Sequence, residues 1–149
     1  MKLTIRRASE DTLRELETWR YPLPYDFYDG DVDPVLNPER FYGALDADGS
    51  LVGFYYFEEK GEALEIGLGL RPDLAGRGLG LEFFRAGVEY GRRRFRPERI
   101  ILAVAAFNER AIAVYERGGF REIGRHVRHF ERWGDVEFVD MEEDPGRHR

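Results

Sequence analysis

Hydrophobic and polar positions change rhythm several times along the 149 residues, and each change marks an element. From Leu3 to Arg7 apolar and polar residues alternate, the period of a half-buried strand. Ser9 then stands where a helix cap belongs, and Leu13 and Leu16 share one face of a helix predicted over roughly Glu10 to Trp19. The pattern stops there. Tyr21 to Pro38 contains Pro22, Pro24, Gly30, Pro34 and Pro38 and reads as a long loop with room for a short helical turn. Phe41 to Leu45 and Leu51 to Phe57 flank Asp46-Ala47-Asp48-Gly49, which predicts a hairpin. Ala63 to Leu70 is a further strand. Arg71 to Gly80 is a loop that opens a helix ending near Arg94, with Leu79, Phe83, Ala86 and Tyr90 on one face and Pro97 beyond its end. Arg99 to Ala105 is apolar without alternation and is expected to be buried on both faces. Asn108 caps a helix from Glu109 to Arg117 that stops at Gly118-Gly119. Phe120 to Glu131 and Asp135 to Glu142 form a last hairpin around Trp133-Gly134. The C-terminal Asp-Pro-Gly-Arg-His-Arg is expected to fray.

The order β-α-loop-β-β-β-α-β-α-β-β predicts an α/β (α+β) architecture in a single domain over residues 1–149. Parallel strands joined by right-handed crossovers are expected from Ala63 onward. Composition narrows the function. A hydrophobic fraction of 42% argues against disorder. No apolar run approaches the ~18 residues of a membrane helix, so no membrane partner is expected. The start of the chain turns charged at once and does not read as a leader. There are no cysteines, which excludes a disulfide framework, a thiolate metal site and a cysteine nucleophile, and suits the cytoplasm. A net charge of −6 disfavours nucleic acid and fits a cationic partner such as an amine. His126 and His129 stand an odd number apart, so on a strand they face opposite sides, and no metal site is predicted.

The densest chemical signal is Ala75-Gly76-Arg77-Gly78-Leu79-Gly80, placed after a strand and before a helix. Glycines permit positive φ and close approach of a ligand. Free N–H groups at a helix start favour an anion, and Arg77 adds charge. A dinucleotide fingerprint fails because its third glycine would fall on Leu81, and no GxxxxGK run exists. In its glycines and its strand–turn–helix context the segment resembles the Q/R-x-x-G-x-G/A loop of the GNAT superfamily of acyl-CoA-dependent acetyltransferases. It departs from that pattern at Ala75, where Gln or Arg is usual. The block from Asn108 through Tyr115 to Gly119-Phe120 resembles the second signature of the same family.

That resemblance covers about Leu3 to Met141 and is strongest from Glu65 to Phe120. It implies a GNAT fold: a central mixed, mostly antiparallel sheet of about seven strands, splayed between strands 4 and 5 and flanked by about four helices. It implies N-acetyl transfer from acetyl-CoA to an amine. The cofactor would be held by the backbones of Leu68 and Leu70, the loop Ala75 to Gly80, Asn108 and Tyr115. Tyr115 would serve the departing thiolate and Glu65 would act as base. The aromatic and acidic loop with Tyr25, Asp26 and Tyr28 would cover an amine acceptor. Other readings stand beside these. Asn108 is an ordinary N-cap, Tyr115 a core aromatic, Glu65 an exposed-face residue, and the loop aromatics core packing. Gly67 and Gly69 mark a bulge or a close backbone approach. A non-catalytic acyl-CoA-binding module is the alternative function, and a homodimer through the final hairpin edge is a further expectation.

Overall fold

The computed structural model describes residues 2–29 and 37–144. Gly30, Pro34 and the tail beyond Asp144 lie outside the described residues. The chain forms β1 (Thr4–Arg7), α1 (Glu10–Glu17), β2 (Phe41–Leu45), β3 (Leu51–Lys60), β4 (Ala63–Leu70), α2 (Gly80–Phe95), β5 (Arg99–Ala105), α3 (Glu109–Arg117), β6 (Phe120–Phe130) and β7 (Gly134–Glu143). Three α-helices are present among the described residues, where about four were expected. The proline-rich loop supplies two short 3-10 turns instead, Tyr25–Tyr28 and Pro38–Arg40, because proline withholds amide donors a longer helix would need. Helix α1 stops at Glu17, short of the predicted Trp19, where the hydroxyl of Thr18 takes the Glu15 carbonyl at 2.6 Å.

The seven strands lie in the order β1-β2-β3-β4-β5-β7-β6. Only β4 and β5 pair in parallel. The expected parallel strands are β4 and β5, joined through α2. β5 and β6 do run the same way, but β7 folds back along β6 and inserts between them, antiparallel to both.

Helices α2 and α3 cover one sheet face, over Tyr55, Phe57, Leu64, Ile100, Leu102 and Val104. The other face is covered in two places: α1 packs Leu16 against Phe41 and Leu51, and the turn Tyr25–Tyr28 packs Phe27 against Ala105 and Phe138. Between these covers the face is open. Strand β5 is therefore not buried on both faces as expected: Ile100, Leu102 and Val104 are buried, whereas Ile101 and Ala103 are half-buried.

The contact face of α2 also differs from the predicted stripe. Phe83, Phe84, Gly87, Val88 and Gly91 are buried, while Leu79, Ala86 and Tyr90 are half-buried. Two glycines do this work by what they lack. A Cβ on Gly87 would stand 2.3 Å from the Tyr55 ring, and one on Gly91 2.8 Å from Leu64. Tyr55 lies stacked on Phe83, centroids 4.5 Å apart, and its hydroxyl donates to the Phe83 carbonyl at 2.6 Å. These contacts set how closely α2 approaches β3 and β4, and so where its N-terminus lies.

Gly87→Ala is expected to destabilise the domain by about 1–3 kcal/mol, because overpacking against a walled-in ring outweighs the gain in helix propensity. Tyr55→Phe keeps the ring and loses one buried hydrogen bond, costing about 1 kcal/mol. Urea unfolding of both variants checks this order; a Gly87→Ala variant as stable as the parent contradicts it.

Candidate active site

Strands β4 and β5 are hydrogen-bonded at three positions only, Ala63–Arg99, Leu64–Ile100 and Glu65–Ile101. Both strands continue past this point, β4 to Leu70 and β5 to Ala105, without pairing to each other. β4 keeps its other partner, running in unbroken antiparallel register with β3 from Lys60–Ala63 to Gly53–Leu70. The inner edges of Ile66–Leu70 and Leu102–Ala105 thus form a wedge. Strand glycines do not bulge here. Gly69 stands opposite Phe54, whose ring fills the space of a Cβ at 2.5 Å, and Gly67 meets nothing closer than the Tyr56 Cβ at 3.5 Å. The close backbone approach occurs one strand over, where the Gly69 carbonyl lies 2.7 Å from a Cβ on Gly53.

Above the wedge lies the glycine loop. Arg71 anchors its start: the backbone N–H bonds to the Val52 carbonyl at 2.8 Å, and the guanidinium holds Leu51 O and both carboxylate oxygens of Asp73. That guanidinium also holds the Asp73 carboxyl below its ordinary range. Gly76 and Gly78 sit at φ 76° and 81°. Leu79, the cap of α2, has no side-chain hydrogen bond. From Gly76 to Leu81 no backbone N–H finds an acceptor among the described residues. This exposed row of donors at a helix start matches a diphosphate in both charge and geometry. Arg77 stands exposed beside it.

Helix α3 brings the second group. Asn108 is an N-cap, its Oδ1 accepting from Ala111 N at 3.1 Å, and its Nδ2 also donates to the Tyr28 hydroxyl at 3.0 Å. Tyr115 lies on the half-buried face of α3, its ring 4.7 Å from Phe84. Burial, and then the nearby Tyr28, push the Tyr115 phenol well above its ordinary pKa, so it stays protonated. Among the described residues its hydroxyl has no hydrogen-bond partner. A protonated donor with nothing to donate to is suited to a ligand.

The turn Tyr25–Tyr28 is tied down from several sides. Tyr21 donates its hydroxyl to the Leu70 carbonyl at 2.8 Å, so that carbonyl at the end of β4 already carries a protein bond. Its backbone N–H goes to Asp29 Oδ1 at 2.6 Å. Phe27 is the hub of an aromatic cluster with Tyr28, Phe107, Phe130, Trp133 and Phe138, at centroid distances of 5.1–6.4 Å. Core packing is thus the role of Phe27, one of the two readings open for the loop. Asp26 stands 4.0 Å from Arg132, and the Tyr25 ring lies under the Arg110 guanidinium at 4.2 Å.

On the open face below this cluster, a groove of about 460 Å³ runs from Glu65 across Ile101 and Ala103 to Asp140 and His126. Glu65 accepts from Lys60 Nζ at 2.6 Å. His126 lies 2.9 Å from Asp140 through Nδ1, and Arg128 donates to its Nε2 at 2.8 Å. His129 pairs with Asp135 on the opposite side of β6, as the odd spacing required. Among the described residues no cluster of carboxylates and histidines could hold a metal ion.

Comparison with known proteins decides the family. Residues 4–121 match the Acetyltransferase (GNAT) domain. The chain belongs to the GNAT acetyltransferase family. It is 36% identical over 105 residues to a mycothiol acetyltransferase of Clavibacter michiganensis, covering 70% of this chain and 34% of the relative. A mycothiol acetyltransferase of Salinispora tropica is 34% identical over 103 residues, covering 65% and 34%. The chain thus spans about a third of the length of these relatives. Among solved structures, the spermidine N-acetyltransferase of Vibrio cholerae in complex with CoA and spermine superposes with a TM-score of 0.66 at 22% identity, covering 95% of both chains. The spermidine/spermine N-acetyltransferase of the same organism with manganese ions gives 0.71 at 23% identity, over 95% of this chain and 91% of that one. These last two matches concern the fold.

GNAT acetyltransferases use acetyl-CoA, and the site fits it by its own geometry: unpartnered amides over the wedge, flanked by Arg77 and by an unpartnered phenol at Tyr115. The structure gathers Ala75 to Gly80, Asn108, Tyr115 and Tyr28 around one end of the sheet. It sets Glu65 lower, at the last paired rung of β4. Tyr25 and Asp26 are met by Arg110 and Arg132. Sequence reasoning missed Tyr21, Arg110, Phe107, Trp133 and the His126–Asp140 pair. A polar ring or an exposed cation carries no periodic signal, and long-range partners leave none. Only Trp133 and Phe107 were findable, as large apolar residues at turns, and they stand 39% and 42% exposed.

The Tyr21 hydroxyl is pushed up to about 12 by burial and then by Asp29. A raised phenol pKa stabilises the folded state fully below the unfolded value near ~10 and loses that contribution as pH rises from ~10 toward 12. Alkaline titration should therefore lower stability across that window. Tyr21→Phe, which cannot ionise there, is expected to show a shallower loss by urea unfolding at stepped pH.

Proposed function

We propose that this GNAT domain transfers the acetyl group of acetyl-CoA to the amine of a small molecule, by direct attack in a ternary complex. The observation that carries this reading is the end of the β4–β5 ladder at Glu65–Ile101, together with the row of unpartnered amides in the loop that follows β4. Strand groups left without a partner in the wedge suit the amides of a pantetheine arm, and the loop suits its diphosphate. The related proteins are named for mycothiol and for spermidine, both small molecules, which supports a small-molecule acceptor.

Acetyl-CoA supplies the thioester; the chain supplies the rest. The backbone N–H of Leu68, on the freed edge of β4, polarises the carbonyl oxygen. Tyr115, protonated and without another partner, donates to the departing sulfur. The acceptor enters from the open face, over Ala103 and beneath the Phe27 cluster, where the groove passes Glu65 and Asp140. Glu65 receives the amine proton through water, because Lys60 already holds one side of its carboxylate. Tyr25, Asp26 and Tyr28 border the acceptor's entrance, beside Trp133, whose ring already carries the Arg132 guanidinium at 4.7 Å. The reading places the protein in the cytoplasm, with its acetyl donor. It extends to a homodimer along β6, the outermost strand of the sheet.

Thiol release from acetyl-CoA, measured over a panel of polyamines, amino sugars, amino acids and peptides, tests the proposal. Release with one class supports it and names the acceptor. Acetyl-CoA binding with no release from any member supports a non-catalytic module. Tyr115→Phe is expected to lower kcat roughly a hundredfold with KM for acetyl-CoA within about twofold. Unchanged kcat removes Tyr115 from the chemistry. Glu65→Gln should lower kcat with KM for acetyl-CoA within about twofold.

A further inference from the structure

Arg110 touches both halves of the site. It lies in the first turn of α3, two residues after Asn108, and is exposed. Its guanidinium plane covers the Tyr25 ring at 4.2 Å. One of its edge nitrogens, Nη1, reaches the glycine loop, standing 2.9 Å from where a Cβ on Gly76 would be. A side chain at Gly76 would displace it, so the same glycine that turns the loop also admits the guanidinium. No carboxylate pairs with Arg110 among the described residues. Its cation therefore lies over a ring while one edge nitrogen stands against Gly76, the first of six consecutive residues whose amides have no acceptor among the described residues.

A guanidinium can serve both neighbours together. Face stacking uses the π surface, and the N–H donors lie in the plane. We propose that Arg110 is a positioning residue that binds the diphosphate of the acyl donor with its edge while its face keeps hold of Tyr25, so that donor binding orders the acceptor turn. This rests on the reading of the glycine loop as the diphosphate site. The stack alone is weak at an exposed position and leaves the turn free to shift. Charge-assisted bonds from a fixed phosphate immobilise the guanidinium, and the immobilised guanidinium holds the ring. Tyr25 begins the turn that carries Phe27 into the aromatic cluster and Tyr28 onto Asn108. The donor thereby shapes the acceptor side without touching it. By linkage, removing Tyr25 must weaken donor binding as well.

The test is binding to CoA and to pantetheine, which lacks the diphosphate, by titration calorimetry, with hydrogen exchange of the segment Tyr21–Asp29 as a second readout. In the parent protein CoA should slow exchange in that segment and pantetheine should not. Arg110→Gln is expected to weaken CoA at least tenfold, leave pantetheine unchanged and abolish the slowing. Tyr25→Leu, which leaves the cation in place, should weaken CoA two- to fivefold and also abolish the slowing. Equal CoA affinity in Arg110→Gln and parent overturns the proposal, as does equal weakening of CoA and pantetheine. Slowing that persists in Tyr25→Leu overturns the coupling. If CoA does not bind the parent at all, the reading of the loop itself fails, an outcome separate from these.

Discussion

Everything at this site depends on two strands that stop pairing. β4 and β5 share three rungs and then part, although both run on for several residues. Backbone donors and acceptors in the interior need partners, so a wedge of unpaired strand edge is tolerated only if something else fills it. The rest of the sheet makes this possible. β4 is held on its other side by eight register positions with β3, and β5 by five with β7. Each half is complete without the other, and the gap does not propagate.

The helices then put chemistry at the gap. α2 is drawn onto β3 and β4 by Gly87 and Gly91, which let Tyr55 and Leu64 reach its backbone. Its N-terminus and the glycine loop therefore project at the open end of the wedge. α3 is set by Gly118, where a Cβ would meet Phe84 at 2.6 Å, and Phe84 in turn flanks Tyr115. The turn Tyr25–Tyr28 is secured from below by Tyr21 on the Leu70 carbonyl and from the side by Phe27 among five other rings. A segment with no regular periodicity thus acquires a fixed place through one hydrogen bond at the strand end and one buried ring.

Local signals in the sequence were the legible ones. The cap at Ser9, the cap at Asn108 and the stop at Gly118 all appear as read. The strand lengths were close, with β3 running three residues beyond Phe57 because the turn comes only at Gly61. The glycine loop and the Asn108–Tyr115 helix were readable because their partners are near in the chain and their residue types are unusual there. The errors were of one kind. The α2 stripe was displaced because glycines count as nothing in a hydrophobic pattern, yet here they are the contact positions. β5 was taken as doubly buried because composition records apolarity and not what lies above it.

By itself the sequence determined the elements, the glycine-rich turn that opens α2, and a tyrosine placed two helical turns beyond a capping asparagine. These follow from φ preferences, missing amide donors and helix geometry, all of which act over a few residues. Tertiary structure alone decided that β4 and β5 part after Glu65 and that Asn108 reaches Tyr28. It alone also set Arg110 between Tyr25 and Gly76, and His126 beside Asp140 in an open groove. Those pairs lie between 14 and 85 residues apart along the chain. Contacts at that separation are fixed by packing of whole layers, where excluded volume and burial act on all the elements together, and no single segment carries the information.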